Sequence, residues 1–435
     1  MMAVEQRIPE WLETGLQCPV AILGWGRSGK AAARLIERLG GSIVVYDEGI
    51  DGPIRNGFGE ASAGTHSIAI CSPGFGSEHP WVVAARKSGC RTIAEFDLGA
   101  ALWKGPIIAI TGTNGKTTLA SFLHEAFQKR GIDNHVMGNI GEPMCEILLG
   151  DCNPEALAIC EISSFQAEQI EFLRADHILW TNFDEDHLDR HGSMSSYFRS
   201  KYRLIESMRG DTVFVGPSVF EFGQSIGIDL PPASIVEEDA DPVPLGLVGS
   251  VFETQPEMRS YLMARSLWRS LQLEEALLAR SARAFGKSPH RVEFLGEARG
   301  MRFWNDSKAT NFHAVYGALD RFEHPVYWIG GGKDKGGNIG NFAKRIAPKI
   351  RSAATLGETG ERLRDELRSN GVSAERFDSI EDAVTRLSNQ ASDGDNVVLS
   401  PGFASFDMFE SYSDRGEVFR KAIDCLRSER SMNDD

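Results

Sequence analysis

A glycine-rich loop between an apolar run and a helical stretch most restricts how this chain can fold. Residues 107–110 are apolar, as in a buried strand, and residues 119–128 have the spacing of an amphipathic helix. Between them lies the sequence Gly112, Thr113, Asn114, Gly115, Lys116, Thr117, Thr118. A strand, glycine loop and helix in this order present backbone N–H groups at a helix N-terminus, where the dipole also favours an anion. The sequence therefore predicts a phosphate-binding loop in an α/β domain.

Two side chains of this loop have the chemistry that a nucleotide requires. Lys116 can reach terminal phosphates, and the Thr117 hydroxyl can bind Mg²⁺. The general P-loop pattern has a glycine where this chain has Ile110, so the loop is a shortened variant. The alternative is a glycine turn that binds no ligand.

Composition is that of a globular protein and argues against several partners. The 435 residues are 42% hydrophobic and 25% charged, which suggests about two to four domains. A net charge of −15 argues against nucleic acid as a partner. The seven cysteines show no CxxC spacing, which disfavours a disulfide framework or a zinc site. Without an N-terminal apolar segment or a run of about 18 apolar residues, we expect a cytoplasmic protein with no membrane partner.

A second glycine pattern lies near the N-terminus. Residues 24–29 read Gly-Trp-Gly-Arg-Ser-Gly after an apolar run, and Asp47 ends the next such run. This is a Rossmann-like start, which suits a dinucleotide, a UDP-sugar or a turn that binds nothing. A further strand over residues 68–71 leads into Ser72-Pro73-Gly74, at the sheet edge where such folds bind ligands.

Acidic and basic residues also follow predicted strands of the middle and last parts. Glu161 ends an apolar run, a usual position for a carboxylate that binds nucleotide-bound Mg²⁺, although a water-facing glutamate is the alternative. Residues 184–191 hold four carboxylates and two imidazoles, which suit Mg²⁺ or Mn²⁺ or form a solvated acidic loop. On local grounds Lys201 is a surface lysine. Residues 305–311 form either a ligand-binding segment or a helix N-terminus capped by Asn or Asp.

Six motifs occur in the order typical of the Mur ligase family, and the chain resembles that family along nearly its whole length. They span residues 112–118, 138–141, 161–166, 186–190, 305–311 and 399–407. The resemblance implies an α/β fold with three domains. These are a Rossmann-like UDP-substrate domain over residues 1–104, a central P-loop ATPase-like domain with a mainly parallel sheet over 105–287, and a Rossmann-like domain over 288–435 that binds an amino acid and closes over ATP.

The resemblance is greatest to the branch that adds D-glutamate to UDP-N-acetylmuramoyl-L-alanine in peptidoglycan synthesis. It implies an ATP-dependent amide ligase that works through an acyl phosphate, with ATP and two Mg²⁺ ions as cofactors. The implied partners are the UDP-linked substrate and D-glutamate, and the implied state is a monomer.

The resemblance also implies roles for individual residues. For catalysis it implies Lys116, Glu161, His187, Lys201 and Lys308. For ATP it implies Gly112, Thr113, Asn114, Gly115, Lys116, Thr117, Thr118, Arg291, Asp306, Thr310 and Asn311. For the UDP-linked substrate it implies Arg27, Ser28, Asp47, Ser72, Gly74, Asn139 and Ser163. For D-glutamate it implies Lys335, Ser405 and Tyr412, and for the metal ions Thr117, Glu161, His187 and Lys201, the last as a carbamylated lysine.

One segment departs from the family pattern, and other functions stay open. After Gly249 the family usually has His-Asn, near the nucleotide base or ribose, where this chain has Ser250-Val251. The alternatives are a ligase of the same superfamily that adds another amino acid or acts on folate, a non-catalytic relative that binds a nucleotide-sugar, and an NAD-dependent dehydrogenase. The last alternative leaves the loop at residues 112–118 unexplained.

Overall fold

Three β-sheets follow one another along the chain in the computed structural model. The structure describes residues 8–48, 57–73, 75–150, 153, 155–230, 235–236, 245–286 and 289–431. They form two compact units: the first comprises the described residues up to Phe183 and Phe198–Phe285, and the second comprises Asp184–Tyr197 and the described residues from Gly286 onward. Two sheets lie in the first unit and the third sheet lies in the second.

The first sheet is entirely parallel and has the strand order β2-β1-β3-β4. Its strands are β1 (Val20–Leu23), β2 (Ile43–Tyr46), β3 (Ile68–Cys71) and β4 (Arg91–Ala94). The helices of this part are α1 (Glu10–Gly15), α2 (Arg27–Arg38), α3 (Glu60–Ala63), α4 (Pro80–Lys87) and α5 (Glu95–Leu102). All residues of β1 and β3 are buried, which explains why these short runs are continuously apolar.

The second sheet is also parallel and has the strand order β6-β7-β5-β8-β9. Its strands are β5 (Ile107–Thr111), β6 (Asn134–Gly138), β7 (Leu157–Glu161), β8 (His177–Trp180) and β9 (Thr212–Val215). The helices along this stretch of chain are α6 (Lys116–Lys129), α7 (Met144–Leu149), α8 (Ser164–Ala167), α9 (Leu188–His191), α10 (Met194–Glu206), α11 (Pro217–Ser225), α12 (Glu257–Ser270) and α13 (Glu275–Ala284). Helix α9 and the start of α10 belong to the second unit.

The periodicity of α6 explains how it packs on the second sheet. Its buried side chains recur at helical spacing and belong to one core: Leu119, Phe122, Leu123, Ala126 and Phe127. This core also contains residues of α12 and α13. The helix predicted over residues 119–128 is therefore confirmed, and it begins at Lys116, within the glycine-rich loop.

The first two sheets belong to one unit because a shared core joins them. Phe96 of α5 and Ile107 of β5 lie in the same apolar cluster, together with Trp103 between them. Gly105 is close to the backbone of residues 155–156, where an added Cβ would fall well inside contact distance. The chain therefore passes from the first sheet to the second through packed residues.

The third sheet is parallel except at one edge. Its strands are β10 (Glu293–Ala298), β11 (Met301–Asn305), β12 (Val326–Gly331), β13 (Ile350–Leu356), β14 (Ser373–Arg376) and β15 (Asn396–Leu399), in the order β10-β11-β15-β12-β13-β14. Among the described strands of this sheet, β10 and β11 pair antiparallel and the other pairs are parallel. The helices are α14 (Phe312–Leu319), α15 (Ile339–Ile346), α16 (Gly360–Ser369), α17 (Ile380–Ser388) and α18 (Tyr412–Ser431).

The predicted fold class is confirmed: the chain is α/β, with three mainly parallel sheets arranged in sequence. The antiparallel edge of the third sheet was not predicted. The boundary expected between residues 104 and 105 lies inside the first compact unit, and the domain limits remain predictions. No helix among the described residues has both the length and the apolar character needed to cross a membrane.

Candidate active site

The glycine-rich loop connects β5 to α6, as its sequence predicts. Gly115 precedes the helix with a φ of 81°, and Gly112 has a φ of 140°. Both values lie in the region that favours glycine. An added Cβ at Gly112 would also fall well inside contact distance of the Thr181 side chain. These two glycines are therefore required by the backbone path of the loop.

Residues after β8 and two loop carbonyls hold this loop in place. The Asn114 N–H donates to Asn182 Oδ1 at 2.8 Å, and the Thr113 N–H donates to Asn182 O at 3.1 Å. The Lys116 ammonium donates to Gly112 O at 2.8 Å and to Thr113 O at 2.9 Å. The loop therefore has a defined conformation that keeps the lysine charge beside its own backbone.

Lys201 of α10 also contacts this loop, contrary to its interpretation as a surface lysine. Its side chain is 1% exposed, and Nζ donates to Gly112 O at 3.1 Å and to Thr111 Oγ1 at 3.4 Å. Helical spacing could have indicated this burial, because Lys201 falls between the buried residues Phe198 and Leu204. Two lysines thus converge on one carbonyl of the loop.

Glu161 ends β7, next to β5, and has one oxygen available for a ligand. Its Oε1 accepts a hydrogen bond from Asn139 Nδ2 at 2.8 Å, and the Asn139 N–H donates to Glu161 O at 2.8 Å. Its Oε2 is buried and has no hydrogen-bond partner in the described part of the chain. An unsatisfied buried oxygen is costly unless a ligand pairs with it. Glu161 is therefore not the water-facing glutamate of the alternative interpretation.

The residues at this loop fit a magnesium ion that is held together with nucleotide phosphates. Glu161 offers a carboxylate oxygen, and Thr117 offers a hydroxyl in the first turn of α6. No group of three or more His, Cys, Asp or Glu side chains suited to a metal ion was found among the described residues. Magnesium commonly takes one or two protein oxygens and completes its shell with phosphates and water.

The residues expected to bind the UDP-linked substrate lie around the N-terminal glycine loop. Asp47 Oδ2 accepts a hydrogen bond from the Trp25 N–H at 2.6 Å, and Ser72 Oγ donates to Gly24 O at 3.2 Å. Ser28 lies in the first turn of α2. Gly74 lies outside the described residues.

The loop after β6 lies close to the same glycine loop. Arg27 donates to Gly141 O at 3.2 Å and lies 3.8 Å from the Glu142 carboxylate. Asn139 precedes these residues, so the first unit brings Arg27 near the segment that contains Asn139. Ser163 caps α8 in a reciprocal pair of hydrogen bonds with Gln166.

A small cavity lies between these segments. Its lining includes Ser28, Pro73, Gly138, Gln166 and the buried residue Glu95. The first three are predicted substrate residues or their neighbours. Glu95 was not predicted, and its position at the end of β4 is the signal that could have identified it.

In the second unit, the Asp186 carboxylate lies beside three residues that were predicted to belong to the site. Its Oδ1 accepts a hydrogen bond from Lys335 Nζ at 2.7 Å, and its Oδ2 accepts one from Asn311 Nδ2 at 3.2 Å. His187 Nε2 lies 3.6 Å from the same Oδ2, and His187 has a φ of 53°. Asp186 is 7% exposed, so the interpretation of residues 184–191 as a solvated loop is wrong at this position. The sequence signal was the acidic run, which requires a nearby cation.

Asp306 joins the ends of β11 and β15. Its Oδ2 accepts a hydrogen bond from Ser400 Oγ at 2.7 Å, and its Oδ1 accepts one from the Val292 N–H at 3.2 Å. Burial raises the pKa of its carboxyl to about 7, although these bonds and the charges of Arg291 and Arg321 oppose the rise. Both oxygens of Asp306 are thus engaged within the protein.

The other predicted residues of this unit lie in or near the same loops. Asn311 caps α14 by accepting the Ala314 N–H at 2.9 Å, so the predicted helix cap is present, and the ATP-binding role expected for this segment stays a prediction. Lys308 Nζ lies 5.3 Å from the centre of the Tyr412 ring. Thr310 and Arg291 are half-buried, and Ser405 is buried.

Arg415 connects two of the six motifs and was missed in the sequence. Its guanidinium donates to Ser307 Oγ at 2.9 Å, to Ser307 O at 2.8 Å and to Phe403 O at 3.2 Å. Burial lowers the pKa of this guanidinium to about 10, against the opposing charges of Asp407 and Asp306. Its position one helical turn after Tyr412 is the signal that could have identified it.

The fold and the glycine-rich loop define the class of protein, an α/β protein with a P-loop central sheet. The family model described as Mur ligase middle domain matches residues 110–219, and the one described as Mur ligase, glutamate ligase domain matches residues 290–403. The chain belongs to the Mur ligase family and is a ligase.

Individual relatives agree with this assignment over most of the chain. The UDP-N-acetylmuramoylalanine--D-glutamate ligase of Geobacter metallireducens is 32% identical over 446 residues, which cover 94% of this chain and 97% of that protein. The structure of UDP-N-acetylmuramate-alanine ligase from Thermotoga maritima is similar at a TM-score of 0.58 and 15% identity, covering 95% of this chain and 100% of that one. MurF ligase from Thermotoga maritima, in complex with ADP, has a TM-score of 0.57 at 15% identity, covering 83% of this chain and 95% of that one. The two structures support the fold.

Proposed function

We propose that this chain joins D-glutamate to UDP-N-acetylmuramoyl-L-alanine, using ATP, in peptidoglycan precursor synthesis. The main support for this proposal is that Lys116 and Lys201 both contact the glycine-rich loop, which follows a strand paired with the one that ends in Glu161. The relative from Geobacter metallireducens, which bears the name of that reaction, covers nearly the whole chain. We further propose that the chain acts as a monomer in the cytoplasm.

The chemistry explains why these groups are needed. A carboxylate is a poor electrophile, so an oxygen of the alanyl carboxylate attacks the γ-phosphorus of ATP and ADP leaves. The resulting acyl phosphate is attacked by the amine of D-glutamate, which loses a proton as inorganic phosphate departs. The first step brings two anions together. Lys116 and the backbone N–H groups at the start of α6 reduce that repulsion by holding the phosphates.

Bound magnesium would supply further positive charge to the phosphates. Thr117 and Glu161 would hold one ion in the first unit, and His187 is our candidate ligand for a second. Lys201 is buried at the loop, where its Nζ donates to Gly112 O and to Thr111 Oγ1. Carbamylation would convert this lysine into a carboxylate that binds metal.

Each unit has its own substrate groups in this proposal. In the first unit, Arg27, Ser28, Asp47, Ser72 and Asn139 bind the UDP-linked substrate. In the second unit, Lys335, Ser405 and Tyr412 bind D-glutamate. Arg415 is added to this set as a positioning residue, because it connects the loop before Ser405 to Ser307.

The family's usual His-Asn pair, which is expected near the nucleotide, is replaced after Gly249 by Ser250-Val251. Val251 and Phe252 follow Ser250 and pack in the core of the central sheet, where Phe252 contacts Phe122. We propose that the nucleotide base is held without the usual His-Asn pair.

The test is a phosphate-release assay with purified protein, Mg²⁺, ATP and UDP-N-acetylmuramoyl-L-alanine. We expect phosphate release only when D-glutamate is added. L-glutamate and the other amino acids used by sister ligases are the matched controls. Release with one of those instead would assign the chain to another branch, and no release with any acceptor would favour a non-catalytic relative.

A further inference from the structure

Glu95 is a buried carboxyl at the point where the first sheet ends. It follows β4 directly, begins α5 and is 5% exposed. Its Oε1 accepts a hydrogen bond from the Cys145 N–H at 2.8 Å, in the first turn of α7. The Cys145 thiol donates in return to Glu95 O at 3.3 Å. Glu95 therefore fixes where α7 begins.

Glu95 is also one of the residues that line the small cavity of the first unit. Ser28, Pro73 and Gly138 line it as well, and they belong to or adjoin the segments proposed for the UDP-linked substrate. Gly138 directly precedes Asn139, and the loop that follows leads into α7. Glu95 thus contacts the cavity and also holds the far end of the loop that contains Asn139.

The surroundings of Glu95 disfavour its negative charge. Burial raises the pKa of this carboxyl to about 7, although the hydrogen bonds from Cys145 oppose the rise. Glu146 of α7 adds a like charge and is itself paired with Arg34 of α2. The other residues with polar side chains that line the cavity are Ser28, Cys71, Gln166 and Gln169. A further anion in this cavity would favour the neutral carboxyl still more.

We propose that Glu95 takes up a proton when the UDP-linked substrate binds, and that the neutral carboxyl donates a hydrogen bond to the substrate. The inference rests on the proposed function for the identity of the ligand. The proton comes from solvent and returns to it when the product leaves. An ionised Glu95 would repel the diphosphate, whereas the protonated group offers an O–H donor to an oxygen. Binding of the substrate therefore weakens as the pH rises.

The test is calorimetric titration of the protein with UDP-N-acetylmuramoyl-L-alanine, without ATP, between about pH 6.5 and 8.5. This range spans the pH at which a carboxyl of raised pKa gains or loses its proton. Two buffers with different heats of ionisation report the number of protons taken up. For the wild type we expect net proton uptake near pH 8 and a Kd that rises by up to about tenfold per pH unit. For Glu95→Gln we expect no uptake at this site and a flat Kd, because the amide keeps an acceptor for Cys145 and a donor for the substrate.

Glu146→Gln is the matched control, since it removes a carboxylate one residue from Cys145. It should keep the proton uptake, with the midpoint moved slightly to lower pH by loss of the like charge. The melting temperature of each variant verifies folding, and Glu95→Asp adds a second carboxyl variant whose uptake should persist. Equal uptake in wild type and Glu95→Gln would overturn the inference, as would absence of substrate binding at every pH. Substrate binding that is accompanied by proton uptake, but without phosphate release in the ligase assay, would instead reject only the proposed function.

Discussion

Lys201 has polar neighbours in the sequence, yet its side chain is buried against the glycine-rich loop. Its place on the apolar stripe of α10 explains the burial, and its contacts with Gly112 and Thr111 explain the tolerance of a polar group there. Glu161 differs in that one buried oxygen has no partner in the described part of the chain. For a single residue, burial and the available hydrogen-bond partners together distinguish a candidate ligand-binding side chain from a surface side chain.

Replacement of Lys201 by alanine tests its role at the loop. We expect phosphate release to fall by about 100-fold or more, because a group that acts on transferring phosphate is lost. Short-chain carboxylates should restore part of the activity if they replace a carbamylated side chain. Lys129→Ala, at the end of the helix that follows the loop, is the control and should retain activity. Unchanged activity in Lys201→Ala would contradict the metal-binding role.

Helix α2 shows how one glycine permits an element to pack. An added Cβ at Gly29 would fall well inside contact distance of Gly24 O, so the helix approaches the glycine loop closely only without a side chain there. Gly26 lies in the same loop, has a φ of −73° and has open space around its Cβ position. The two glycines are alike in the sequence pattern and differ only in their surroundings.

This difference gives a prediction for the element. Gly29→Ala should lower the free energy of unfolding by about 1–3 kcal/mol, since the backbone must shift to admit the methyl group. Gly26→Ala should change it by less than about 0.5 kcal/mol. Urea denaturation of both variants measures the effect, and equal stabilities would show that the close approach of α2 is not needed.

The whole molecule has two compact units with separate apolar cores. The first two sheets share the core that contains Phe96 and Ile107, whereas the clusters of the third sheet contain only residues of the second unit. The buried contact between Asp186 and Lys335 lies within the second unit. We therefore expect two unfolding transitions.

Lys335→Ala tests this division. Loss of the ammonium removes the hydrogen-bonded lysine from the buried Asp186 carboxylate, which should destabilise the second unit by about 1–3 kcal/mol. Scanning calorimetry should show one transition moved to lower temperature and the other unchanged. Lys333→Ala, which removes an exposed lysine two residues away, should move neither. A uniform shift of both transitions would contradict independent cores.

The strand runs, the helix after residues 112–118 and the α/β class could be predicted because they depend on local periodicity and on backbone conformations that glycine permits. The candidate site was predicted in part, through loops at the ends of strands. The hydrogen-bond partners of Glu95, Asp186 and Arg415 could not be predicted, because they lie 50, 149 and 108 residues away in the chain. Contacts of that separation arise only when the elements pack.

Local sequence was enough to predict the strand–loop–helix units and a glycine-rich loop of the phosphate-binding type, since neighbouring residues set those features. Packing of distant segments was needed to show that Lys201 contacts Gly112 and Thr111 and that Glu95 lines the small cavity of the first unit. It was also needed to show that Oε2 of Glu161 has no hydrogen-bond partner in the described part of the chain. The physical reason is that burial and hydrogen-bond partnership depend on which distant segments meet.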